Sequence, residues 1–211
     1  MLELLHLNEP DGLRRFRESC TTVTADSWND FKGAGKGELK TRMMEEQDGL
    51  CVYCECLLDK RTLENTRIDH IFCRSQYPER TLDYTNLALS CSNNSCDRSK
   101  KDNILPILPE PGCNRYFRLV EGTGEIKPAL NMTKEDKKKA NQTISMLNLK
   151  CDVHNRARRK RYLHMKEVWK LNKSRDDVFD LLVKFCESGP YRNYMKLLLF
   201  NNMASFGIIN P

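Results

Sequence analysis

Residues 50–102 read LCVYCECLLDKRTLENTRIDHIFCRSQYPERTLDYTNLALSCSNNSCDRSKKD, and this stretch decides the fold. It is rich in cysteine and polar residues and lacks a sustained helical period. Cys51-x2-Cys54 and Cys91-x4-Cys96 are each close enough in sequence to form a tight knuckle. Four thiolates at tetrahedral geometry suit Zn²⁺. A module of about 50 residues has too small a core to stand alone, so a metal staple supplies the missing stability. The x4 spacing is looser than the usual x2, Cys56 competes as a ligand, and buried unligated thiols are the bland alternative. Between the pairs lie Ile68-Asp69-His70-Ile71 and Tyr84-Thr85-Asn86-Leu87, and the second pair runs into Asp97-Arg98-Ser99-Lys100.

Working outward, the first 48 residues are polar text broken by Gly33-Ala34-Gly35-Lys36-Gly37, with helical sequence expected from Glu38 to Gln47. Gly37 is followed by Glu38 rather than by Lys-Ser or Lys-Thr, so the glycines are no P-loop. After Asn103, prolines at 106, 109 and 111 force extended structure. Gly122-Thr123-Gly124 predicts a tight turn between strands at 116–120 and 125–127. Beyond residue 132 the pattern is helical. Thr133 is a candidate cap, with Glu135 and Asp136 in the first turn. Tyr162, Met165 and Trp169 share one helical face, with basic residues on the others. Val178, Leu181, Leu182 and Phe185 form an apolar stripe, as do Tyr191, Met195, Leu198 and Leu199. The predicted fold class is α+β: a small ββα-metal module at 49–105, between an N-terminal helix-and-loop segment (1–48) and a mainly helical region with one hairpin (106–211).

The chain has 211 residues and ten cysteines, and no apolar run approaches the roughly 20 residues needed to span a bilayer. Its first residues lack the basic start and long apolar core of a signal peptide. The expectation is a cytoplasmic protein without a membrane partner, whose clustered thiols bind metal rather than form disulfides. A net charge of +6 is unevenly spread: residues 150–175 hold ten Lys or Arg and two acids. Such a stretch is the footprint of a polyanion partner, and a solvated helix face is the alternative. Within it Arg158, Arg159 and Arg161 are the candidate nucleic-acid contacts.

The ordered set of Cys-x2-Cys, Asp-His, Asn, second Cys pair and Asp-x-x-Lys resembles the HNH nuclease superfamily. The resemblance implies a phosphodiester hydrolase with His70 as general base and Asn86 steadying the loop that aims it. Asp69 and Asp97 would hold one catalytic cation, and Lys100 and Lys101 would contact phosphates unless they are solvated surface lysines. The third motif letter is usually His or Asn. Asp97 in its place gives two hard carboxylates, favouring Mg²⁺ or Mn²⁺, although such an Asp could serve only as a helix cap. More narrowly, Cys51-Val-Tyr-Cys54-Glu55, the run Tyr84-x-Asn86-Leu87-x-x-Ser90-Cys91, Cys96-Asp97-x-x-Lys100, Glu125-Ile126-Lys127-Pro128 and Leu147-Asn148-Leu149 resemble the PtuB proteins of the Septu anti-phage system and their retron-associated relatives. In that family Asp97 is the usual residue. Membership implies DNA as substrate and a PtuA-like ATPase as controlling partner, docked on the C-terminal helices or the N-terminal segment. In a retron setting it also implies a reverse transcriptase with its RNA–DNA. The alternative is an inactive zinc-stapled subunit that binds nucleic acid or serves as adaptor.

Overall fold

A computed structural model describes residues 1–59, 66–92, 96, 100–170 and 175–201. Among them are seven α-helices and two two-stranded antiparallel sheets, a mixed α+β architecture. Three helices come first: α1 (Asp11–Ser19), α2 (Ser27–Asp30) and α3 (Ala34–Glu46). The helix expected from Glu38 begins four residues earlier and takes in most of the glycine run. Tertiary packing explains the difference. A Cβ on Gly12 would lie 3.0 Å from the Gly35 Cα, and one on Gly35 would lie 2.9 Å from the Phe31 ring. The glycines let α1 cross α3 closely, while Gly33 (φ 65°) makes the turn into the helix.

At the centre, β1 (Thr66–His70) pairs with β2 (Leu87–Cys91), with Asp69 opposite Ala88 and His70 opposite Leu87. All five residues of β2 are buried. Its other edge is closed by Val52 N–H donating to Leu89 O (3.0 Å) and by Gln47, whose side chain donates to Leu89 O (2.9 Å) and accepts from Leu89 N (2.7 Å). A buried strand in a sheet only two strands wide thus leaves few main-chain groups unpaired.

The expected hairpin forms as β3 (Phe117–Leu119) and β4 (Ile126–Pro128), closed by Val120 N–H to Glu125 O (2.8 Å). Then follow α4 (Lys134–Met146), α5 (Asp152–Trp169), α6 (Arg175–Glu187) and α7 (Arg192–Asn201). Thr133 caps α4 by accepting from Asp136 N (3.1 Å). The apolar stripes of α6 and α7 bury Val178, Leu182, Cys186, Tyr194, Met195, Leu198 and Leu199 in the chain's own core. One hydrophobic cluster joins residues from Met1 through β2 to Leu199.

Gly124 (φ 76°) seats the hairpin on α5, where a Cβ would fall 2.1 Å from the Asn155 carbonyl oxygen. Gly124→Ala is therefore expected to cost roughly 3 kcal/mol, through overpacking against immovable backbone and a disfavoured φ. Chemical denaturation measures it. Wild-type stability in that variant would mean that the hairpin does not dock there.

Candidate functional site

The two cysteine pairs meet. The sulfurs of Cys51, Cys54, Cys91 and Cys96 all lie within 4.8 Å of one another, and all four residues are buried. Cys91 Sγ is 3.7 Å from both Cys54 Sγ and Cys96 Sγ. A tetrahedron with Zn–S bonds of about 2.3 Å has edges of about 3.8 Å, so the spacing fits that ion. Main-chain bonds shape the cradle: Cys51 N–H donates to Cys56 O (2.9 Å), Glu55 N–H to Cys51 O (2.9 Å), and Cys91 N–H to Cys51 Sγ (3.4 Å). Glu55 turns the knuckle at φ 60°. Cys56 is half-buried and stands outside the group of four. Burial raises the Cys54 thiol, and a divalent cation bound there would displace its proton.

His70 ends β1 with its side chain buried. Its ring meets Trp28 edge-on at 4.7 Å, and Nε2 lies 3.0 Å from Thr81 O. A carbonyl only accepts, so this contact selects the tautomer protonated on Nε2 and leaves Nδ1 as the basic nitrogen. Burial lowers the His70 pKa to about 4, which keeps the imidazole neutral near pH 7. The loop carrying Thr81 is held by Asn86, itself fully buried: Oδ1 accepts from Phe72 N (2.7 Å), and Nδ2 donates to Phe72 O and Arg80 O (3.0 Å each). Asn86 sits at the end of a 3-10 turn that Asp83 caps by accepting from Thr85 N (2.9 Å).

Asp69 precedes His70 on an extended strand, so the two side chains leave it on opposite sides. The Asp69 carboxylate accepts from the Tyr53 hydroxyl and pairs with Lys100 Nζ (3.0 Å), keeping 15% of its side chain exposed. Burial raises its pKa, and Lys100 opposes that shift. Asp97, the second expected cation ligand, lies outside the described residues. Asp69 is a hard oxygen donor, and its remaining exposure suits Mg²⁺ or Mn²⁺ in kind.

Lys100 differs from the surface lysine expected at the DNA. It is 1% exposed and donates to His70 O and Ile71 O besides pairing with Asp69. Arg158 departs in the same way: it is fully buried, donates to Gly124 O (3.1 Å) and Leu149 O (2.9 Å), and faces the rings of Tyr191 and Tyr194. Arg161 is half-buried and donates to Phe185 O (2.7 Å) and Ser188 O. A buried guanidinium needs acceptors for its five N–H groups. Helix-end and turn carbonyls take Nη groups of both arginines, while Arg158 Nε and Arg161 Nε are buried without a hydrogen-bond partner among the described residues. Lys101 and Arg159 are exposed.

Four contributors escaped the sequence reading. Gln47 brackets β2, Tyr53 binds Asp69 from inside the knuckle, and Trp28 walls His70. His154, fully buried on α5, places Nε2 3.9 Å from Cys96 Sγ. Only the position of Tyr53 between two cysteines carried a local signal. The rest arrive from distant segments.

No protein-family model matches the chain. Among curated proteins it is similar to "Retron Vc95 putative HNH endonuclease" of Vibrio cholerae serotype O1 biovar El Tor. That pair is 30% identical over 210 residues, which is 94% of this chain and 99% of that protein. It is 25% identical to "Retron Ec83 putative HNH endonuclease" of Escherichia coli over 231 residues, covering 87% and 89%. With Septu protein PtuB of Bacillus thuringiensis it shares 25% identity over 114 residues, covering 51% and 44%. Similarity along nearly the whole length of the Vibrio protein shows that this chain belongs to the family of retron HNH endonucleases related to Septu PtuB.

Proposed function

We propose that the chain is a metal-dependent HNH endonuclease that hydrolyses phosphodiester bonds in DNA, as the effector of an anti-phage defence system under the control of a partner ATPase. The observation that carries the reading is the setting of His70, whose Nε2 is engaged by a backbone carbonyl while Nδ1 remains the base. Nδ1 takes the proton from the attacking water, and the Nε2–H bond to Thr81 steadies the imidazolium that forms. Asn86 holds the Thr81 loop, and through it the ring. Asp69, with Asp97, holds the divalent cation, which supplies charge neutralisation at the scissile phosphate. Lys100 ties the Asp69 carboxylate to the main chain at the strand end. The cysteine cluster holds Zn²⁺ as a structural ion, at the opposite end of β1 from His70.

The names of the relatives support the setting: two belong to retrons and one to Septu. They suggest a PtuA-like ATPase and, in a retron, the reverse transcriptase with its RNA–DNA as partners. A second reading, an inactive zinc-stapled binding or adaptor subunit, draws on the engagement of Asp69 by Tyr53 and Lys100. One assay separates them. Purified protein, with its ATPase partner present, is expected to nick or cut DNA when Mg²⁺ or Mn²⁺ is added and not when both are withheld. Absence of cation-dependent cleavage under every partner condition selects the second reading.

A further inference from the structure

Of the three arginines expected at the DNA, Arg158 and Arg161 turn inward and Arg159 is exposed, which leaves open where a nucleic acid would lie. Beside His70, the N-terminal helices present cations to solvent. Lys36 and Lys40 are half-exposed and Lys32 is exposed. Lys36 and Lys40 stand four residues apart on α3, hence on one face, with Cβ atoms about 6 Å apart. The Lys36 ammonium sits 4.3 Å from the centre of the Trp28 ring, and the same ring touches His70 at 4.7 Å. From the other side comes Arg74, on the loop that follows His70, fastened by a bond from Nη1 to Ala25 O (3.1 Å).

These groups act on one another as like charges. The Lys36 pKa is lowered by burial and then by Arg74, Lys40 and Lys32, with no carboxylate among the causes. Arg74 and Lys36 are also among the charges acting on His70. Lys32, Lys36, Lys40 and Arg74 make no ion pair among the described residues. Some other exposed cations are paired with neighbours, as in Arg14–Asp11, Arg42–Glu45 and Lys170–Glu167. Like charges gathered without a counter-charge cost stability unless a polyanion covers them.

We infer that Lys36 and Lys40 of the α3 face, with Lys32 just before that helix and Arg74, form the surface that grips the phosphate backbone of the nucleic acid and leads it past Trp28 to His70. The inference rests on the reading of His70 as the reacting centre. Phosphate contacts set position and register and carry no sequence information, so the grip is expected to be indifferent to sequence. Trp28 orients Lys36 on one side and His70 on the other, making it a positioning residue between backbone grip and base.

The test uses the full-length protein in a His70→Ala background, so that DNA stays intact, with a fluorescent duplex titrated at several KCl concentrations. The triple variant Lys32→Gln/Lys36→Gln/Lys40→Gln is compared with Arg159→Gln/Lys160→Gln on the exposed face of α5. The α3 variant is expected to bind at least about tenfold more weakly at 0.15 M salt, and its slope of log K against log salt should fall by about 2 to 3. The α5 variant should stay within about threefold of its parent. Equal melting temperatures establish that both variants are folded, as exposed or half-exposed substitutions should be. Unchanged affinity and slope in the α3 variant overturn the inference, as does an equal loss in the α5 variant. Unchanged DNA binding with lost co-purification of the ATPase overturns it too, and assigns the patch to an acidic protein. Loss of binding by the α3 variant while wild type never cleaves leaves the grip standing and removes the nuclease reading. Robust cleavage with binding blind to α3 does the reverse.

Discussion

Replacing His70 by alanine is expected to slow DNA cleavage by about 10²- to 10⁴-fold, the usual cost of removing a positioned general base. The geometry makes this residue hard to substitute from nearby. Its ring is held by Trp28 on one side and by Thr81 O on the other, and Asn86 fixes the loop that supplies that carbonyl. Alanine would also strand the Thr81 carbonyl in a buried place, at about 1–3 kcal/mol of stability, so it tests two things together. His70→Gln separates them. A glutamine amide can still donate to Thr81 O but cannot accept the proton of water near neutral pH. Both variants should retain zinc, because the four thiols lie with Cys91 at the Thr66 end of the ribbon. Single-turnover cleavage and metal analysis on the same preparations give the answer. Rates within tenfold of wild type for both variants would remove His70 from the chemistry.

Cys91→Ser should have the largest effect on the fold. Cys91 stands at the hub of the cluster, 3.7 Å from two other sulfurs, with its own N–H on the fourth. It also closes β2 opposite Thr66. In small zinc domains metal binding is worth on the order of 10 kcal/mol, and much of that is folding free energy. Here a larger core shares the load, so a loss of about 3–5 kcal/mol is expected, lowering the melting temperature by roughly 10 °C. Zinc content should fall well below one ion per chain. Strong chelation of the wild type should reproduce the same drop, and chelation of the variant should add little, because both act through one ion. A serine variant that melts with the wild type at full zinc content would show that the four thiols are merely buried.

The two variants also bear on each other. The ββ ribbon carries His70 at one end and Cys91 at the other, four residues apart along each strand. Loss of the metal cluster should therefore lower cleavage indirectly, by loosening the strand that aims His70. The converse should not hold.

Chain order alone determined the local devices of this protein. The spacing of Cys51, Cys54, Cys91 and Cys96 announced a four-sulfur cluster, because ligand sets within knuckles are close in sequence. The Gly122–Gly124 turn and the Thr133 cap were equally readable, since each involves neighbours a few residues apart. The Asp-His and Asn motifs pointed to a family that similarity along the chain then showed. Tertiary structure alone decided which charges face water. Arg158 and Arg159 are adjacent in a basic run, yet one is sealed under Tyr194 and the other is exposed, because a helix turns about 100° per residue. Lys100 was drawn into the core by Asp69 and by two strand-end carbonyls from about thirty residues away. Trp28 meets His70 from about forty residues away in sequence, a contact that only the folded chain makes. A side chain's polarity is written in its residue type; the partners that satisfy it are set by which segments fold against it, and sequence distance does not encode that.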